Sequence, residues 1–289
     1  MPIEPAQSAL ALFEICLLLS GAGLVLWLVF DPAARARWLG TNALPPAPIA
    51  PVDFVLAAAL VFLTGFAAQA VAQAWLGPVL SKSADQQGLA LFSYQVANYA
   101  GALLAWRLLF PSLRRTWAFA PEPPRPVPGP ALPWPRALRY AAGTLLAMLP
   151  LVLLVNLGWS TAVDALGLPN TPQDVIAIFT RTRSPWVIAG MLLVACVLAP
   201  IYEELLFRAG LYRFCRQRLG RGWALGLSGV SFGALHANWA GFLPLAGLGM
   251  GLALAYEATG SIRVAIMAHA LFNLNTVLVL LSGLPDFAK

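Results

Sequence analysis

Apolar residues run along this chain in long blocks separated by short polar punctuation. A hydrocarbon core of about 30 Å takes roughly 20 apolar residues per helix. Eight stretches approach or meet that length: residues 9–30, 53–76, 88–110, 137–158, 186–207, 223–240, 241–258 and 262–283. Each predicts a membrane-spanning helix, and the last three follow one another through short turns. Residues 111–136 hold nine prolines and predict an extended, polyproline-like strap. The first block has no basic stretch ahead of it and carries Glu14. It is also longer than the roughly 7–15 apolar residues of a signal peptide, so it reads as a retained span. The expected fold is all-α, a polytopic membrane helical bundle of about eight transmembrane helices. Residues 1–136 would supply three spans and the proline-rich linker, and residues 137–289 a second membrane unit.

Composition narrows the class. Of the 289 residues 60% are hydrophobic and 10% charged, where a soluble domain carries about 25% charged residues. Cytosolic enzymes, secreted disulfide scaffolds and disordered chains are excluded. A net charge of +6 raises nucleic acid as a partner. The basic residues flank apolar blocks, however, so they read as topology signals and the partner is the lipid bilayer. With the N-terminus outside, Arg35, Arg37, Arg107, Arg114, Arg115, Arg125, Arg136, Arg139, Arg208, Arg213, Arg216, Arg218, Arg221 and Arg263 all fall inside. Lys82, Arg181, Arg183 and Lys289 fall outside. That asymmetry predicts both termini outside the cytoplasm, in a bacterial inner membrane. Cys16, Cys196 and Cys215 show no disulfide or zinc-ligand spacing. Cys215 lies in the basic cytoplasmic segment, where it is open to lipidation, though a free thiol is preferred.

An ionised side chain at mid-membrane costs about 2.5–3.5 kcal/mol. Polar residues inside the blocks are therefore functional candidates. The first group is Tyr202-Glu203-Glu204-Leu205-Leu206-Phe207-Arg208, preceded by Pro200. The proline should kink the fifth span and free backbone groups near the carboxylates. Glu204 and Arg208 are i, i+4 and can pair, while Glu203 points about 100° away and has no partner on its own helix. The plain alternative is a charged cluster that ends the span. The second group is Phe232-Gly233-Ala234-Leu235-His236, with Asn238 beyond it, and the third is His269-Ala270-Leu271-Phe272-Asn273. These hold the chain's two histidines, both expected inside apolar helices.

Spacing brings the groups together. Glu203 lies 17 residues before Gly220 and His236 lies 16 after it. In an antiparallel hairpin they are level within about one 1.5 Å rise. His269 is nine residues past Gly260, roughly 13 Å along its helix. One buried site in the inner part of the membrane is expected. Three glycine pairs at four-residue spacing, Gly222/Gly226, Gly229/Gly233 and Gly247/Gly251, favour close packing there.

A carboxylate, two imidazoles and an amide in a dry pocket suit activation of water at a carbonyl. Glu203 can act as general base, and His236 can share its proton or hold a metal. His269 and Asn273 can donate hydrogen bonds to the developing oxyanion, with Glu204 and Arg208 supporting the helix. A zinc ion would take Glu203, His236 and His269 as ligands. The His-Glu-x-x-His pattern of many zinc proteases is absent, so the metal-free version is preferred and no cofactor is expected.

The order Glu203-Glu204-x-x-x-Arg208, Phe232-x-x-x-His236 and His269-x-x-x-Asn273 resembles the CPBP family of intramembrane proteases. That family includes CAAX prenyl endopeptidases and bacteriocin-processing or immunity proteins. The Thr259-Gly260-Ser261-Ile262 lead-in is also similar, and the resemblance covers about residues 186–276. It implies that 137–289 is a catalytic membrane core, with Glu203 and His236 as the water-activating pair. His269 and Asn273 would stabilise the oxyanion, and Glu204 and Arg208 would take a supporting role. The substrate would be a membrane-associated protein or peptide, its identity open.

Three rivals stand beside this reading. Gly226-Leu227-Ser228-Gly229 resembles the Gly-x-Ser-Gly of rhomboid serine proteases, with His269 two spans later. That leaves Glu203, Glu204 and His236 unexplained. A proton-coupled transporter would also bury Glu and His, but no inverted repeat with broken helices is visible. A non-catalytic immunity or scaffold protein of the same fold is the third. Other features are bland. Trp38, Trp75, Trp117, Trp134, Trp159 and Trp186 suit interfacial anchoring, and Glu257 is expected at the inner interface beside Arg263.

Overall fold

A computed structural model of the chain describes residues 5–40, 44, 47, 49–109, 132–171, 176, 179 and 181–282. Most of the proline strap lies outside these residues. The described chain is helical throughout, and it forms a polytopic membrane helical bundle. The helices are α1 (Pro5–Phe30), α2 (Pro32–Leu39), α3 (Pro51–Leu76), α4 (Ala84–Leu109), α5 (Trp134–Ala165), α6 (Pro185–Leu219), α7 (Arg221–Leu235), α8 (Trp239–Thr259) and α9 (Ile262–Leu281). Prolines open α2, α3 and α6 at positions where no N–H is needed. Asp31 caps α2, accepting from the N–H groups of Ala33 at 2.8 Å and Ala34 at 3.1 Å.

All eight expected helices are present. Six of them (α1, α3, α5, α6, α8 and α9) are long and apolar enough to cross a membrane. The other two differ for physical reasons. Helix α4 carries Gln86, Gln87, Gln95 and Asn98, and Asn98 donates to Gln69 of α3 at 3.1 Å. Helix α7 has 15 residues, about 22 Å of rise, which falls short of a full crossing.

Helices α3 and α4 form a tight hairpin. A Cβ added at Gly101 would lie 2.7 Å from the Ala68 Cβ and 2.8 Å from the Thr64 carbonyl oxygen. An apolar cluster then joins this hairpin to the C-terminal helices, bringing Phe54, Val61, Ala102 and Trp106 against Leu206, Phe207 and Phe232. A second cluster packs α5 against α8 and α9 through Ala141, Met148, Leu248, Leu252 and Ala268.

At the α6–α7 turn a buried carboxylate gathers the basic residues. Glu257 receives Arg216 Nε at 2.6 Å, Arg221 Nε at 2.7 Å and the Tyr212 hydroxyl at 3.0 Å. The expected partner Arg263 turns away, donating to the Leu132 carbonyl and lying over Trp134. Helix α8 ends beside the α6–α7 turn, so the arginines there are nearer than the one that starts α9. Cys215 is buried at 4% exposure as a free thiol.

Candidate active site

Helix α6 carries the two glutamates, and it is not a regular α-helix. It widens to π-helical geometry over Val194–Leu198 and again over Leu205–Tyr212, on either side of a short α stretch Ala199–Glu204. Such widenings concentrate at functional sites because they rotate side chains out of the regular helical register. Pro200 stands in the middle and supplies no N–H.

Glu204 and Arg208 are both fully buried, and Arg208 Nε lies 3.1 Å from Glu204 Oε2, the expected i, i+4 pair. Arg208 also donates to the Gly249 carbonyl of α8 at 3.0 Å, and its guanidinium sits 4.5 Å from the Phe232 ring centre. The counter-ion of Glu204 is therefore held from three sides.

The second partner of Glu204 comes from α9. His269 Nδ1 lies 2.9 Å from Glu204 Oε1. A ring nitrogen facing a carboxylate donates, so this contact fixes the imidazole's orientation. The other nitrogen, Nε2, faces Glu203, 3.9 Å from its Oε2. That oxygen is buried without a hydrogen-bond partner, while the Glu203 side chain as a whole keeps 12% exposure. The sequence pairs Glu204 with Arg208 and leaves Glu203 without a partner on its own helix, and the structure keeps both features. It adds a histidine between the two carboxylates.

His236 sits differently from expectation. It ends α7 rather than lying within a span to residue 240. Ala237 takes φ +46°, a left-handed value that L-residues seldom adopt. Asn238 then caps α8, its Oδ1 accepting from Gly241 N at 2.7 Å. His236 Nδ1 faces the Phe232 carbonyl at 2.8 Å and so carries the proton, leaving Nε2 as the acceptor. No hydrogen bond or ion pair joins His236 to Glu203. The fully buried Phe232 ring packs against both histidines, 5.1 Å from His236 and 5.6 Å from His269, centre to centre.

Asn273 also departs from its expected arrangement. Its Nδ2 donates to the Ala195 carbonyl at 2.7 Å, which leaves one N–H for other use. Ser228 of the rhomboid-like motif is fully buried, with its hydroxyl 3.3 Å from the Phe207 carbonyl. It has no histidine partner.

The zinc set does not assemble. Among the described residues no three His, Cys, Asp or Glu side chains form a group that can hold a metal ion. The glycine pairs sort in the same way. A Cβ at Gly229 or Gly233 would strike α8, 2.7 Å from the Ala246 carbonyl oxygen and 2.5 Å from the Phe242 carbonyl oxygen respectively. Gly222, Gly226 and Gly247 have open space, and Gly251 meets the flexible Met148 side chain.

One residue absent from the sequence reasoning borders the site. Tyr99 of α4 lies against Tyr202, ring centres 4.8 Å apart. Tyr202 adjoins the glutamates in sequence, but Tyr99 comes from a helix with no recognisable motif.

Residues 185–275 match the family described as Type II CAAX prenyl endopeptidase Rce1-like. A Bacillus subtilis (strain 168) protein named "Putative membrane peptidase YdiL" is 29% identical over 99 residues, which is 34% of this chain. The match spans 41% of that relative's length. No solved structure matches. Both likenesses support the CPBP resemblance, and the family match spans all three motifs.

Proposed function

We propose that this chain is an intramembrane endopeptidase that hydrolyses a peptide bond of a membrane-associated protein or peptide with water activated by Glu203. The observation that carries the reading is the contrast between the two glutamates. Glu204 is held by an ion pair with Arg208 at 3.1 Å and by His269 Nδ1 at 2.9 Å, while Glu203 Oε2 makes no hydrogen bond and meets His269 Nε2 at the longer 3.9 Å. A carboxylate held this loosely at membrane depth is costly, and service as a general base accounts for it.

In the proposed reaction Glu203 takes a proton from water as the water oxygen bonds to the scissile carbonyl carbon. The carbonyl electrons move to oxygen, where the remaining Asn273 N–H is the donor on hand for the oxyanion, joined by His269 Nε2 when the ring carries a proton on both nitrogens. Collapse of the tetrahedral intermediate breaks the C–N bond, and the leaving nitrogen takes the proton from Glu203. His236, with its Nε2 free to accept, is the second base of the site. Glu204 and Arg208 hold His269 and the helix. No step is routed through a metal, because the candidate ligands are not gathered. The basic α6–α7 turn supports placing that end of the bundle at the cytoplasmic face of a bacterial inner membrane, with both termini outside.

The test compares membrane and secreted proteomes of cells carrying wild-type protein or Glu203→Ala at matched expression. The expected result is a membrane-associated protein that accumulates uncleaved in the variant. Matching proteomes with a persisting deletion phenotype would replace catalysis by a binding role.

A further inference from the structure

Helix α6 breaks register at Pro200, and the side chain that repairs the break is Asn273. In the Val194–Leu198 stretch the hydrogen bonds reach five residues back, so that the Ala199 N–H donates to the Val194 carbonyl. The next bond in that register would run from residue 200 to the Ala195 carbonyl. Pro200 has no N–H to give. A membrane interior offers no water to satisfy the orphaned carbonyl. Asn273 Nδ2 supplies the missing donor from α9, 2.7 Å away.

The position of that donor matters. Asn273 lies one helical turn beyond His269, whose Nδ1 holds Glu204. Helix α9 therefore grips α6 at two points, Ala195 before Pro200 and Glu204 after it, and Glu203 is carried on the segment between them. We infer that Asn273 is a positioning residue: by capping the Ala195 carbonyl it fixes the Pro200 break in the geometry that sets Glu203 in place, and its main contribution to turnover passes through the helix. This inference rests on Glu203 as the water-activating group. Misplacing a reacting group by about 1 Å can cost roughly 10²-fold in rate, so a backbone break three residues from Glu203 has leverage over the chemistry.

A double-mutant cycle separates this role from direct oxyanion contact. Pro200→Ala restores an N–H at residue 200, so the helix can close its own ladder and Asn273 loses its task. Full-length wild type, Asn273→Ala, Pro200→Ala and the double variant are compared in detergent by two readouts. The first is hydrogen exchange of the peptides covering residues 199–206. Asn273→Ala should speed it at least about tenfold in the wild-type background and less than about threefold beside Pro200→Ala. The second is cleavage of the protein that accumulates in Glu203→Ala cells. Asn273→Ala should lower kcat with KM unchanged, and the loss should shrink in the Pro200→Ala background. Unchanged exchange in Asn273→Ala, or an equal rate loss in both backgrounds, overturns the inference. If Pro200→Ala is itself inactive, the exchange arm decides alone. Full activity of Glu203→Gln would sink the proposed mechanism while leaving the exchange result standing.

Discussion

His269 Nδ1 lies 2.9 Å from Glu204 Oε1, and the same ring presents Nε2 to Glu203 at 3.9 Å. One imidazole thus bridges two adjacent carboxylates, one also ion-paired with Arg208 at 3.1 Å and one met by the imidazole at 3.9 Å. The distinction predicts different consequences for two changes that look alike in the sequence.

Glu203→Ala should abolish cleavage while leaving Tm in detergent unchanged or slightly raised, because it removes a buried oxygen that has no hydrogen-bond partner. Glu204→Ala should lose both activity and stability. It strands a fully buried arginine, and removing one partner of a buried ion pair costs about 3–5 kcal/mol. Parallel thermal melts and cleavage assays check the pair, and equal melts for the two variants would contradict it.

Gly233→Ala should destabilise the α7–α8 hairpin by about 1–3 kcal/mol, the usual cost of overpacking, and reduce cleavage by displacing His236. The added Cβ would meet the Phe242 carbonyl oxygen at 2.5 Å, a backbone atom that cannot swing aside. Gly226→Ala meets nothing within 4 Å and should be neutral in the same two assays.

Ala237→Gly should leave cleavage intact and raise stability by up to about 1 kcal/mol. It relieves the left-handed strain of an L-residue, offset in part by the greater freedom glycine has in the unfolded chain. Ala237→Val should do the opposite, since a β-branched residue resists φ +46°. Denaturant titration of the three proteins in detergent gives the order.

Asp85, ahead of the apolar part of α4, accepts from the Thr182 hydroxyl and from the N–H groups of Arg183 at 3.0 Å and Ser184 at 3.2 Å. The Thr182 hydrogen bond, followed by the two backbone bonds, holds its carboxyl below the usual 3.8. A depressed value means that the charged form is the one the fold binds. The tether is therefore fully present above 3.8 and is lost as pH falls through the lower folded value. Exchange at the Arg183 and Ser184 amides, corrected for intrinsic rate, should rise only under those acidic conditions, and at every pH in Asp85→Ala.

Cleavage should persist after treatment with a strong zinc chelator, because no step is routed through a metal. Loss of activity that returns with added zinc would reinstate the three-ligand set of Glu203, His236 and His269.

Much of the bundle is legible along the chain because membrane physics acts locally. Backbone polar groups in lipid must be satisfied by the protein itself, and a helix satisfies nearly all of them within its own segment, so an apolar block of sufficient length is a helix. The pairing of Glu204 with Arg208 is equally local, since four residues bring both to one helix face. The lack of a same-helix partner for Glu203 follows from the same geometry. What the sequence could not decide depends on which surfaces meet. His269 reaches Glu204 across 65 residues, and the Phe232 ring packs against both histidines. Glu257 takes Arg216 and Arg221 because the end of α8 returns to the α6–α7 turn. The missing N–H of Pro200 can be read from one residue. Its replacement by Asn273, on another helix 78 residues from Ala195, exists only once α9 packs against α6.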